Sequence, residues 1–311
     1  MRALLIVNPH ATSTTRLRRD VIARALASAV ELETVETRYR GHGTALAAAA
    51  ASEGVGLVLA LGGDGTVNEA VNGLLRRPAG RTAAAPPALA PLPGGSANVF
   101  VRALGLPADP VDATGQVLAA LTGGRSRSIG LGLAGDRYFT INSGLGIDAE
   151  VVRAVEGRRA HGRSVTPALY LRMATRQFYR LTDRRHPAVT LEAGGQEPEG
   201  PMYWCTVSNT SPWTYLGRRP VATNPQASFD LGLDVFGLRS LSTVATARTL
   251  RQMLSGRAEP PRGRGVVARH DLAALTLRTE RPVAFQIDGE YVGEREEVRF
   301  QAVPDALRVV M

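Results

Sequence analysis

The sequence predicts an α/β protein of two domains, a parallel sheet covered on both faces and then a domain of mainly antiparallel strands. Three observations carry this. Over residues 1–130, short apolar runs alternate with helical patterns, the order that builds parallel sheets. After about residue 130, strand-like runs dominate and helices become sparse. Two glycine-rich turns, near 62–65 and 94–96, each end an apolar run and open a helical pattern.

Taken in order, residues 3–7 are apolar and read as a strand. Residues 16–29 carry Leu17, Val21, Ala25 and Leu26 at helical spacing. Residues 32–38 alternate like a strand, and the alanine-rich 44–52 is helical. Strand 56–61 leads into the first glycine turn and helix 67–75 leaves it. Strand 88–92 leads into the second, followed by helices at 97–104 and 111–121. The Pro-, Ala- and Arg-rich 76–87 reads as a loop, as does 256–265. Strands are expected at 138–142, 189–192, 203–208, 233–238, 266–269, 274–278, 283–288, 297–302 and 307–310, with helices near 148–157, 166–181 and 241–255.

Composition narrows the function. Apolar content is 44%, enough for ordinary cores. The net charge is +9, and all 37 basic residues are arginine. Without lysine, a Walker-type phosphate loop and Schiff-base chemistry are both excluded. Any phosphate site must use backbone amides, arginine and metal. The lone Cys205 excludes an intrachain disulfide and a multi-cysteine zinc site. The opening apolar run is too short for a signal-peptide core, and no run reaches a membrane span. The expected location is cytoplasmic, with peripheral contact at the inner membrane face.

The first turn is Gly62-Gly63-Asp64-Gly65-Thr66, then Asn68-Glu69. Glycines admit close backbone approach, and a new helix aims free N–H groups and its positive end outward, which suits phosphate. An acid there suits a magnesium ion. Thr66 and Glu69 also have the Thr-x-x-Glu spacing of a capping box, a role we expect of them. The second turn, Pro93-Gly94-Gly95-Ser96-Ala97-Asn98, repeats the strand–turn–helix pattern. Two such turns side by side would hold the ends of one nucleotide.

With Asn8-Pro9 closing the first strand, these motifs resemble the diacylglycerol kinase catalytic family, the branch with bacterial soluble lipid kinases and sphingosine kinases. Gly144-Leu145-Gly146-Ile147-Asp148-Ala149, Asn209, Pro225 to Ala227, Asp230-Leu231-Gly232-Leu233-Asp234-Val235 and Asp288-Gly289-Glu290 resemble its later motifs. The glycine signature is shared with NAD kinases; the later motifs favour lipid kinases. The resemblance implies a Rossmann-like nucleotide-binding domain over 1–130, onto which a tail of about 298–311 packs back. It implies a β-sandwich lipid-substrate domain over 131–297, and an active site in the cleft between them. ATP and Mg2+ are the implied cofactors. Asn8, Pro9, Gly62, Gly63, Gly65, Thr66, Gly94, Gly95, Ser96 and Asn98 would contact nucleotide, and Asp64 would organise the metal. Glu290 is the candidate general base with Asp64 its rival, although Asp288-Gly289 between alternating runs is also a type I′ hairpin. Asp230 and Asp234 match positions near a second, structural metal; two acids at a turn are an equal reading. Val99 stands where many members have aspartate, which leaves the lipid acceptor and the metal arrangement open.

The expected partner is a lipid alcohol, diacylglycerol or a sphingoid base. A soluble-metabolite kinase of NAD type is the enzymatic alternative, and a nucleotide-sensing or nucleic-acid-binding protein the non-enzymatic one. No nucleic acid is expected, since no zinc module, helix-turn-helix or RNA-binding signature is present. A homodimer is admitted. In 170–181, Leu171, Ala174, Phe178 and Leu181 share a face, and Arg172, Arg176 and Arg180 another. Arg153, Arg158, Arg159, Arg163, Arg184 and Arg185 flank it. The basic face is either simply solvated or a dock for anionic membrane. Trp204, Trp213 and Tyr215 are candidates for an acyl pocket, or core. His10 is a candidate phosphate contact.

Overall fold

The computed structural model describes residues 1–12, 15–76, 85–160, 167–183 and 186–311. Most of the 76–87 loop and Arg163, Arg184 and Arg185 lie outside the described residues, as do the side chains of Arg159 and Leu171. The chain forms two compact units, Met1–Gly130 with Asp305–Met311, and Leu131–Pro304.

In the first unit, β1 (Arg2–Val7), β2 (Glu31–Glu36), β3 (Leu57–Gly62) and β4 (Ala88–Pro93) pair in parallel in the order β2-β1-β3-β4. Every residue of β3 and β4 is buried, as parallel strands covered on both faces must be. The connecting helices are α1 (Arg16–Ala27), α2 (His42–Ser52), α3 (Asp64–Leu74), α4 (Val99–Ala103) and α5 (Pro110–Thr122). Leu5, Leu59 and Ala90 share one face of the sheet with Ile22 and Leu26 of α1 and Val117 of α5. The alternate residues Leu4, Ile6, Val58 and Ala60 are buried on the other face, the side of α2 and α3, which pack on each other. Near the C-terminus Val309 joins the free edge of β4 in parallel, at Leu89. Leu89 accepts from Val310 there, so Pro91 and Pro93, two and four residues on, turn the same way. They have no N–H to offer, and the ladder stops.

The second unit is mainly antiparallel. Its strands are β5 (Arg127–Ala134, entering from the first unit), β6 (Arg137–Phe139), β7 (Asn142–Gly146), β8 (Val189–Ala193), β9 (Glu199–Met202), β10 (Trp204–Ser208), β11 (Thr214–Leu216), β12 (Arg219–Val221), β13 (Leu233–Leu238), β14 (Val266–Leu272), β15 (Ala274–Ile287) and β16 (Glu290–Val309). Its helices are α6 (Ile147–Ala160), α7 (Pro167–Arg176), running into a π-helical turn Gln177–Leu181, and α8 (Thr243–Met253). Strands β14-β13-β10-β7-β15-β16 lie side by side. The first half of β15 also pairs with β8, and its end pairs with β7. One strand thus serves two half-sheets, which enclose a core of Phe139, Leu145, Leu191, Val207, Val235, Leu277, Phe285 and Phe300. The α/β first half and antiparallel second half are as the sequence predicts.

Details differ. The runs at 274–278 and 283–288 are one strand, bridged across Arg278/Val283 by a register shift. The runs at 297–302 and 307–310 likewise belong to one strand, and 138–142 divides between two. Flanking polar residues hide such continuity from periodicity. The capping box at α3 does not form: its N-cap is Gly63, with no side-chain cap. Glu69 turns instead to α2, where it accepts from Gly41 and Gly43 N–H at 2.8 and 2.9 Å. The buried face of 170–181 is set by Met173 and Gln177, while Leu181 is exposed, because α6 supplies the packing partners Val151 and Val155.

Candidate functional site

Three segments of the first unit meet where β1, β3 and β4 end. The peptide of Asn8 donates to the Leu61 carbonyl at 3.0 Å, and that of Gly94 to the Gly62 carbonyl at 2.7 Å. Their backbones touch: a Cβ on Gly94 would stand 2.9 Å from the Gly62 Cα, and one on Gly95 2.8 Å from the Gly63 Cα. A Cβ on Gly62 would strike the Thr66 side chain at 2.4 Å. So Gly94 and Gly95 are required for turn-on-turn packing, and Gly62 for the close approach of Thr66 within its own turn. Gly65 is different: a Cβ there meets nothing within 4 Å, at the exposed start of α3.

Side chains lock this arrangement. Asn8 Nδ2 donates to Thr66 Oγ1 at 3.2 Å, and Asn8 Oδ1 accepts from His10 N–H. Asn98, with φ of +46°, closes the second turn through both ends of its amide, to Gly95 N–H and Gly95 C=O, each at 2.8 Å. Asp64 spans the two turns: its carboxylate accepts from Val99 and Phe100 N–H at 3.1 and 3.0 Å, the first peptides of α4. Asp64, Thr66, Gly63, Gly65, Gly94, Gly95, Asn98 and Asn8 are therefore gathered, with Ser96 exposed at the tip and Pro9 half-buried beside Asn8. Val99 contributes a peptide N–H to Asp64 and buries its side chain.

In the second unit, β15 and β16 are joined by the Asp288-Gly289 turn, both residues at positive φ (+46° and +76°), and Ile287 pairs with Glu290. The expected type I′ geometry is present. The Asp288 carboxylate is buried and accepts from Thr140 N–H and Oγ1, Ile141 N–H and Asn142 N–H at 2.7–3.1 Å. Burial pushes its pKa up, and those donors pull it back. Glu290 lies half-buried against Arg137, 2.5 Å away. Arg137 has no local signal; it is 153 residues from Glu290 in sequence and only strand pairing brings it near.

Asp230 is exposed. Asp234 is buried, with Oδ1 at 2.8 Å from His270 Nδ1 and 3.0 Å from the Asp271 N–H. Burial raises its pKa, opposed by these bonds. Among the described residues no three His, Cys, Asp or Glu side chains gather as a metal cage. Magnesium asks less, since it binds through one or two carboxylates plus phosphates and water. Asp64, a carboxylate where the two turns meet with open space beside it at Gly65, fits that need. Trp204 is buried with Val221, Phe236 and Met253, and Trp213 packs on it at 5.4 Å, so both serve a small core.

Residues 2–133 match the diacylglycerol kinase catalytic domain family. The resemblance read from the glycine motifs is borne out. The diacylglycerol kinase match covers the gathered turns and stops as β5 ends. A curated relative, "Probable lipid kinase YegS-like" of Chromohalobacter salexigens, is 35% identical over 136 residues, 44% of this chain. The matched stretch spans about two fifths, 41%, of that relative's length. A protein of the same name from Stenotrophomonas maltophilia is 28% identical over 98% of this chain and 94% of its own. A diacylglycerol kinase crystal structure from Bacillus anthracis shares the fold, with TM-score 0.70 at 21% identity over 99% of this chain and 96% of that one. An NAD kinase from Archaeoglobus fulgidus in complex with ATP shares it more loosely, with TM-score 0.52 at 12% identity over 100% and 94%.

Proposed function

We propose that this chain is an ATP-dependent lipid kinase that transfers the γ-phosphate to the hydroxyl of diacylglycerol or a related lipid alcohol. One observation carries the reading: two glycine turns packed backbone to backbone and tied by Asp64, within the stretch that matches the diacylglycerol kinase catalytic domain. Phosphoryl transfer asks for positioning and charge neutralisation more than covalent chemistry. The first unit acts as the nucleotide-binding domain, with amides of 62–65 and 94–96 toward the phosphates and Asn8, Thr66 and Asn98 holding the turns. Magnesium, when bound, neutralises phosphate charge, and Asp64 is the carboxylate that would hold it. The second unit acts as the lipid-substrate domain. Its Glu290 takes the proton of the acceptor hydroxyl as that oxygen bonds to the γ-phosphorus and the bond to ADP breaks. Arg137 holds Glu290 in place until then.

Membrane contact belongs to the same reading. Arg172, Arg176 and Arg180 are exposed beside exposed Tyr179 and Leu181, a basic and apolar surface suited to anionic lipid. No helix of the described residues is long and apolar enough to cross a membrane, so substrate would be met at a surface.

The test is label transfer from ATP in magnesium buffer to diacylglycerol or a sphingoid base in mixed micelles, with NAD as the soluble rival. We expect lipid to be labelled and Asp64→Asn to lower the rate at least a hundredfold. Labelled NAD with unlabelled lipid overturns the acceptor, and an Asp64→Asn variant of ordinary activity removes the site.

A further inference from the structure

The turn that carries Glu290 is held from a second direction, by a buried polar chain centred on Gln286, which lies outside the motifs. Gln286 is buried on β15, and its amide is fully used. Its Oε1 accepts from the Gly289 N–H at 2.9 Å. Its Nε2 donates to Asn142 Oδ1 at 3.0 Å and to Asp148 Oδ2 at 2.9 Å. These partners fix which way the amide faces. A peptide N–H can only donate, so the oxygen must face Gly289. The NH2 then needs two acceptors, and Asn142 and Asp148 supply them. Asn142 in turn directs its own NH2 to the Trp213 carbonyl at 3.1 Å, and its peptide N–H to Asp288.

Asp148 stands in the first turn of α6 and is buried. Desolvation lifts its pKa to about 7, against the Gln286 hydrogen bond. A buried carboxyl is costly unless it is bonded, and other residues could fill that volume more cheaply. What its acceptor oxygen achieves is orientation of Gln286, and through it of the Asp288–Gly289 peptide, one residue before Glu290.

We infer that Asp148 and Gln286 are positioning residues which, through the Gly289 peptide, set the placement of Glu290 for proton removal from the acceptor hydroxyl. The inference rests on the reading of Glu290 as general base. Misplacement of a reacting group by about 1 Å costs roughly a hundredfold in rate, while nucleotide binding is left alone.

The experiment measures kcat, the KM for ATP and hydrogen exchange of the Gly289 amide in the full chain. Gln286→Met keeps the volume and removes all three bonds. We expect kcat to fall ten- to a hundredfold, KM for ATP to hold, and Gly289 exchange to speed up. Asp148→Asn, which keeps an acceptor oxygen, should retain most of kcat. Asp148→Leu, which does not, should lose it as Gln286→Met does, so a general loss of folding is separated from a loss of orientation. Glu290→Gln is the control. If it is inactive while Gln286→Met keeps ordinary kcat and Gly289 protection, the positioning role is overturned alone. If Glu290→Gln is as active as the unchanged protein, the general-base reading fails and the positioning role with it.

Discussion

Single side chains here hold ends of turns together, and their titration follows from where they sit. Asp64 bonds the first two peptides of α4 while standing at the start of α3, so its loss loosens one turn against the other besides removing a charge. Asp148 shows the other side of burial. Its carboxyl holds a proton up to about pH 7 when folded, against a usual 3.8. Between those values the folded protein binds more protons than the unfolded chain, so stability falls as pH rises through this window. The contribution is fully present below about pH 4 and lost above about pH 7. At about 1.4 kcal/mol per pH unit, Asp148 alone should lower unfolding free energy by about 3 kcal/mol from pH 5 to pH 8. Asp234 and Asp288, also raised by burial, add in the same direction. Urea melts at the two pH values should show a distinctly smaller drop in Asp148→Asn; an equal drop would contradict the assignment.

At the scale of elements, one helix is finished by another. α2 begins at Gly41, at φ of +87° and with no side-chain cap of its own. Glu69 of α3 supplies the acceptors, and Thr44 Oγ1 donates back to the Glu69 carbonyl at 3.1 Å. Glu69→Ala should therefore cost about 1–2 kcal/mol, read as a lower midpoint in chemical denaturation. Local loss of protection should centre on α2, not on α3. A variant of unchanged stability, or one frayed at α3, would restore the capping-box reading. The hairpin of β15 and β16 follows the same logic: its turn type is local, but four donors from 140–142 fix where it points.

For the whole molecule, the charge is what partners meet. Of a net +9, the exposed Arg172, Arg176 and Arg180 present a share on one helical surface. At roughly 1 kcal/mol per arginine near an anionic surface, replacing the three by Gln should weaken binding to phosphatidylserine-containing vesicles about a hundredfold at low salt. Neutral vesicles should show no difference. Equal binding by both forms would leave the basic face as a solvated one.

Much was legible in the sequence because the signals are local. Continuous apolar runs and their spacing set the strands and helices of the first unit. Asp288-Gly289 set a type I′ turn, since both residues tolerate positive φ. The two glycine turns carry the resemblance to the diacylglycerol kinase catalytic family in the sequence itself. What the turns' glycines are for was decided by tertiary structure: Gly94 and Gly95 serve contact with a backbone some 30 residues away, Gly62 makes room for the Thr66 side chain of its own turn, and Gly65 keeps open space. The partners of Glu69, of Glu290 and of Gln286 were equally out of reach. Each bond joins groups that only the completed sheet or helix pair brings within 3 Å, and a hydrogen bond of that range leaves no periodic trace in the chain.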